Sequence, residues 1–230
     1  MKYIRTADSR GKANFGWLDS KHSFSFGSYY DAEHMGVSNL RVINDDVVAP
    51  GQGFSTHGHQ NMEIISYVIN GALEHKDSTG NVYTVPAGEI QRMSAGKGIM
   101  HSEYNASKQD DVNFLQIWIQ PNVVDIEPEY EQIKVPEGKG VTPLVNPNGE
   151  QGALRINADA TIDRLQLDAG ETHVLDNSGR VGYLHVVKGQ LVADDVEFGA
   201  GDAFALSAEE ATELAITADV EALWFNLPAA

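Results

Sequence analysis

The sequence predicts an all-β protein made of two tandem copies of one barrel, and three observations carry that expectation. Short runs rich in β-branched and aromatic residues recur, and turn-forming clusters bound each of them. No window sustains an apolar stripe of 3.6-residue period. The third observation is an internal repeat that preserves both order and approximate spacing.

Taken in order, Leu40–Val48, Glu63–Ile69 and Asn113–Ile119 read as strands, each closed by Gly, Pro, Asn or Asp. Turn clusters such as Asp77-Ser78-Thr79-Gly80-Asn81 return about every ten residues, the rhythm of a sandwich or barrel. The acidic stretch from Glu127 to Glu131 is the one place where a short helical turn is expected. In the repeat, Tyr67-Val68-Ile69-Asn70-Gly71-Ala72-Leu73 aligns with His185-Val186-Val187-Lys188-Gly189-Gln190-Leu191. Pro86-Ala87-Gly88-Glu89 aligns with Gly199-Ala200-Gly201-Asp202, and Ser94-Ala95 with Ser207-Ala208. Ile117-Trp118-Ile119-Gln120-Pro121 matches Leu223-Trp224-Phe225-Asn226-Leu227-Pro228 after a one-residue adjustment. The chain therefore divides into a unit over 1–135 and a second over 136–230, joined around Pro136-Glu137-Gly138-Lys139-Gly140.

Composition narrows the function. The net charge is −17, from 33 acidic against 16 basic residues, and no run of five basic residues offsets it locally. Such a surface repels polyanions, so direct nucleic-acid binding is not expected. There is no cysteine, which excludes disulfides, thiolate ligands and cysteine nucleophiles. The first ten residues lack the apolar core of a secretory signal, and no stretch approaches the ~18 apolar residues of a membrane span. The expected compartment is the cytoplasm, with no membrane partner.

The chemistry concentrates in His57-Gly58-His59 and His101-Ser102-Glu103. A strand places residues i and i+2 on one face, so both pairs can converge inside a barrel. Three imidazoles and a carboxylate suit one divalent transition-metal ion: Fe, Mn, Co, Ni, Cu or Zn. Gly51 six positions before His57, then Glu63, Gly71 and Pro86-Ala87-Gly88, complete a spacing that resembles the two-part cupin motif. That resemblance implies tandem double-stranded β-helix (jelly-roll) barrels, a bicupin. Strand alternation lets Glu63 or Glu103 point inward, so spacing alone leaves the carboxylate open. In the second copy His57 falls on Leu175, His59 on Asn177 and Glu63 on Val181, and Glu213-Leu214-Ala215-Ile216 offers no histidine. The metal is therefore expected in the first unit. His22, His34, His75, His173 and His185 lack ligand spacing and read as structural or surface residues. Trp17, Phe24, Phe26 and Phe54 are candidates for an aromatic pocket, although at strand spacing aromatics are more often core.

A longer resemblance runs through Arg10–Ser20, His22-Ser23-Phe24-Ser25-Phe26, Arg41–Asp46, Gln91–Glu103 and Gln116-Ile117-Trp118. These segments resemble the pirin family, and most closely its bacterial quercetin 2,3-dioxygenases. The likeness is dense to about residue 130 and looser beyond, where the scaffold pattern alone persists. It implies a metal held by His57, His59, His101 and Glu103; Glu63 is then expected behind them as an acid orienting a ligand imidazole, the alternative being a solvated or turn-bound carboxylate. It further implies that Glu103 takes the 3-hydroxyl proton of a flavonol, whose central ring dioxygen then opens with loss of carbon monoxide. Other pirins are associated with transcription cofactors, so a metal-binding interaction protein without turnover is the alternative. A further cupin activity, such as isomerisation of a carbohydrate or small acid, is a third. With two barrels in one chain, a monomer is expected.

Overall fold

The structure is a computed structural model that describes residues 3–177 and 179–229. The β-prone runs of the first half form β1 (Tyr3–Arg5), β2 (Gly11–Asn14), β3 (Leu18–His22), β4 (Leu40–Val48), β5 (Gly53–His59) and β6 (Glu63–Asn70). They continue as β7 (Ala72–Asp77), β8 (Val82–Pro86), β9 (Glu89–Ser94), β10 (Ile99–Asn105), β11 (Val112–Ile119) and β12 (Glu129–Lys134). The second half supplies β13 (Gly140–Asn146), β14 (Leu154–Arg155), β15 (Thr161–Leu167), β16 (Thr172–Asp176), β17 (Val181–Ala193), β18 (Val196–Gly199), β19 (Ala203–Leu206) and β20 (Ala211–Leu227). Among the described residues no helix is long and apolar enough to cross a membrane.

In the first half a seven-stranded sheet, ordered β12-β9-β6-β11-β4-β3-β2, faces a four-stranded sheet, ordered β5-β10-β7-β8. Leu18, Val48, Val68 and Phe114 from the larger sheet pack against Leu73 and Val85 from the smaller one. In the second half β17 and β20 run the length of the unit. β20 pairs with β15 through Val220–Asn226 and with β16 through Ala211–Ala215, so one strand serves both ends of the fold. The expected barrels are thus jelly-roll-like, but their sheets stay open rather than closing.

One expectation changes. The segment from Glu127 to Glu131 is no helical turn; Glu129 opens β12, which covers the edge of β9. Extended backbone lets Glu129 and Glu131, two residues apart, both reach the buried guanidinium of Arg92, at 3.3 and 2.7 Å. The two halves are also interlocked. β1 pairs with β19, placing Tyr3 opposite Ala205 and covering an edge of the second sheet. One core joins the two units, with Ile43, Ile65, Leu115 and Ile117 from the first packed with Leu144, Tyr183, Leu223 and Phe225 from the second.

The aligned turn glycines share a conformation, with φ of 78° at Gly71 and 81° at Gly189. A Cβ at Gly189 would lie 1.9 Å from the carbonyl oxygen of Asp219. Gly189→Ala should therefore lose about 1–2 kcal/mol from left-handed backbone alone, with the backbone clash added. Chemical denaturation of the full chain measures this, and an unchanged midpoint would contradict the geometry.

Candidate metal centre

The smaller sheet builds the centre by register. β5 and β10 run antiparallel with His57 opposite His101 and His59 opposite Ile99, so alternation turns His57, His59 and His101 to one side. Their ring centroids are 4.5 to 4.9 Å apart, and one ring nitrogen from each falls in a group spanning no more than 4.8 Å. His57 Nδ1 donates to the carbonyl of Ser55 at 2.7 Å, which leaves the Nε2 lone pair facing His101 Nε2, 3.0 Å away. His59 Nε2 is buried without a partner among the described residues. Burial, with the neighbouring imidazoles adding, pushes His59 down to about 4 and His101 down to about 3. Both stay neutral at pH 7, the form that ligates metal. On these observations the donors fit a divalent transition metal.

Glu103 follows His101 past an irregularity in the β5–β10 register. It is buried, and three donors fix its carboxylate: Ser66 Oγ and Gln91 Nε2 give to Oε1 at 3.0 and 2.8 Å, and Gln116 Nε2 gives to Oε2 at 2.9 Å. The two amides are themselves oriented. Trp118 Nε1 donates to Gln116 Oε1, and the Tyr130 hydroxyl donates to Gln91 Oε1, so each amide turns its NH2 toward Glu103. Glu103 groups with His101 and His75 within 4.8 Å, and His101 is common to both clusters.

His57 and Glu103 open on a cleft of about 160 Å³. Phe15, Phe26, Phe54 and Trp118 supply aromatic walls, while Ser20, His22, Asn44 and Asp46 supply a polar side. Phe26 and Phe54 thus line a pocket. Phe24 packs in the shared core against Tyr183, and Trp17 stands edge-on to Phe54.

The pirin family profile matches residues 3–119. The chain belongs to the pirin family. A quercetinase C-terminal cupin domain profile matches residues 144–227. The chain is 45% identical over 230 residues to the quercetin 2,3-dioxygenase of Escherichia coli K12, covering 99% of each. It is 39% identical to a pirin-like protein of Caulobacter vibrioides, covering 93% of this chain and 94% of that one. A bacterial pirin from Escherichia coli, crystallised in complex with nickel(II), superposes with a TM-score of 0.95 at 44% identity and covers 99% of both chains.

Within this pirin-family chain, Glu63 does not take the place expected for it. The chain changes sheets after His59, through Asn61 with φ of 49°, and Glu63 begins β6 in the larger sheet. It shares a face with Ile65 and Tyr67, which point to the core between the units, not to the histidines. There it accepts from Ser94 Oγ at 2.9 Å and from the Asn157 amide at 3.3 Å.

His75 is the residue that spacing missed. It sits opposite Glu103 on β7, donates from Nε2 to Asp77 at 3.0 Å, and both side chains are out of solvent. Burial raises the Asp77 carboxyl, but hydrogen bonds from Thr79, His75 and Asn81 outweigh it and hold the group well below the usual carboxylate range. The signal was present as His75-x-Asp77, the same i, i+2 pattern as the ligand pairs. His22 is also buried and lines the cleft, while His34 takes a contact from the Tyr3 hydroxyl at 3.0 Å. In the second unit Leu175 is core, and Asn177 donates to the carbonyl of Ser207 at 2.7 Å.

Proposed function

We propose that this pirin-family protein is a metal-dependent dioxygenase that opens the central ring of a flavonol such as quercetin, with His57, His59, His101 and Glu103 as the ligands. The observation that carries the reading is the convergence of three imidazoles beside a buried carboxylate at the end of an aromatic-walled cleft. The nickel(II) complex of the Escherichia coli relative supports a divalent ion here, and Fe, Mn, Co, Cu and Zn suit the same donors.

A bound divalent metal supplies an open coordination position and lowers the pKa of a hydroxyl placed there. The chain does the rest. Glu103 Oε1 is taken up by Ser66 and Gln91, whereas Oε2 accepts from Gln116 alone and keeps a lone pair. Oε2 therefore has the one open lone pair: it would face the ion before substrate binds, and it receives the 3-hydroxyl proton once the substrate hydroxyl is seated. Phe26, Phe54 and Trp118 flank the flat substrate and exclude water. The flavonol and one O2 account for all atoms of the ring-opened ester and carbon monoxide, so no further reductant is needed.

The test is oxygen uptake together with loss of the long-wavelength absorption of quercetin, by protein loaded with each metal in turn. Quercetin should turn over, and luteolin, which lacks the 3-hydroxyl, should not. No uptake with any of the metals would sink the oxygenase reading and leave the metal-binding interaction protein in its place.

A further inference from the structure

The inner face of the seven-stranded sheet carries a polar row that crosses its strands in register. His22 lies opposite Asn44, Asn44 opposite Gln116, Gln116 opposite Ser66, and Ser66 opposite Gln91. One half of the row is committed, since Gln116, Ser66 and Gln91 all donate to Glu103. The other half is not. His22 Nδ1, Asn44 Oδ1 and, two residues along β4, Asp46 Oδ1 are buried and have no hydrogen-bond partner among the described residues. The three residues are only 5%, 3% and 3% exposed, and all three line the cleft that ends at Glu103. Buried polar atoms without partners destabilise a fold, so three on one wall of one cleft point to a ligand that completes them.

The chemistry of that ligand follows from the atoms. Asn44 Oδ1 and Asp46 Oδ1 are acceptors. Burial lowers the His22 pKa, with the Phe26 backbone opposing, so the ring stays neutral and its unpartnered Nδ1 is able to accept. Burial pushes the Asp46 carboxyl up to about 7, with Ser20 opposing and Asp45 and Glu103 adding. A neutral donor relieves such a group, and an acidic ligand does not. Asn44 stands one strand beyond Gln116 and His22 two, or ~5 and ~10 Å across the sheet. Phe26 stands edge-on to both His22 and Trp118, at 5.4 and 5.3 Å, and forms the flat wall between them.

We infer that His22, Asn44 and Asp46 form a hydroxyl-binding subsite that selects flat aromatic ligands carrying phenolic hydroxyls on a ring remote from the metal centre. The identity of the ligand as a flavonol rests on the function proposed above; the preference for hydroxyl donors rests on the wall itself. A polyphenol satisfies the three acceptors, whereas the same ring system without hydroxyls leaves them buried and unpaired.

The experiment compares quercetin with 3-hydroxyflavone, which keeps the 3-hydroxyl but has no hydroxyl on either outer ring. Binding to the full-length, zinc-loaded protein is followed without oxygen by quenching of tryptophan fluorescence, with metal content measured alongside. Wild type should prefer quercetin by roughly tenfold or more. Asn44→Leu and Asp46→Leu should each cut that preference severalfold at unchanged metal content, with affinity for 3-hydroxyflavone kept or raised. Their thermal midpoints should rise, because an unpaired buried acceptor is removed. Asp46→Asn, which can still accept, should keep most of the preference and serves if the leucine variant misfolds. Equal binding of the two flavonols by wild type, or variants that lose both ligands in parallel, would overturn the subsite. If the preference holds and is lost in the variants while no metal gives oxygen uptake, the oxygenase reading fails and the subsite stands. If both flavonols turn over with no preference, the reverse is true.

Discussion

Replacing His101 by alanine should empty the metal centre, taking metal content of the full-length protein from stoichiometric to near zero. Residues that merely orient a ligand cost 10–100-fold in metal affinity, so loss of a ligand should cost at least ~100-fold. His101 is the most exposed to this test because it belongs to both donor clusters and lies 3.0 Å from His57 through Nε2. His57→Ala and His59→Ala should behave alike. Glu63→Gln should leave the metal in place, since Glu63 faces the core between the units. Elemental analysis after dialysis decides it: if Glu63→Gln empties the site while Glu103→Gln leaves it filled, the carboxylates have been assigned in reverse. The whole chain has to be used, because β1 pairs with β19 and the two units share one core.

Glu103→Gln should lower the kcat for quercetin by about 10²–10⁴-fold, the contribution of a positioned general base. The substitution also sets an amide NH2 against Ser66, Gln91 and Gln116, all of which donate to this position, so metal affinity should weaken. Saturating metal separates the two effects. With the site refilled, quercetin should still bind while kcat stays low. A kcat restored by added metal would show that Glu103 holds the ion without moving the proton.

Much of this was legible in one dimension because strands have a period of two. The spacing of His57 with His59, and of His101 with Glu103, sets each pair on one face whatever the fold does elsewhere. The repeat around Gly71 and Gly189 was equally legible, since both positions need a left-handed backbone that glycine adopts without strain. The same period misled at Glu63. Parity holds only within a strand, and the chain turns into another sheet between His59 and Glu63. His75 and Asp77 obey the i, i+2 rule too, but a single histidine beside an acid does not show which strand it faces.

By itself, then, the sequence determined the all-β class, the repeat, and the residue types able to hold a metal, because these follow from composition and local periodicity. Which sheet each strand joins was decided only by tertiary structure. So was the placing of Ser66, Gln91 and Gln116 around Glu103, and of His22, Asn44 and Asp46 along the same row. Those neighbours come from β3, β4, β11, β6 and β9, far apart in the chain. Strand register brings them together, and register is fixed by the burial of whole faces rather than by any one segment.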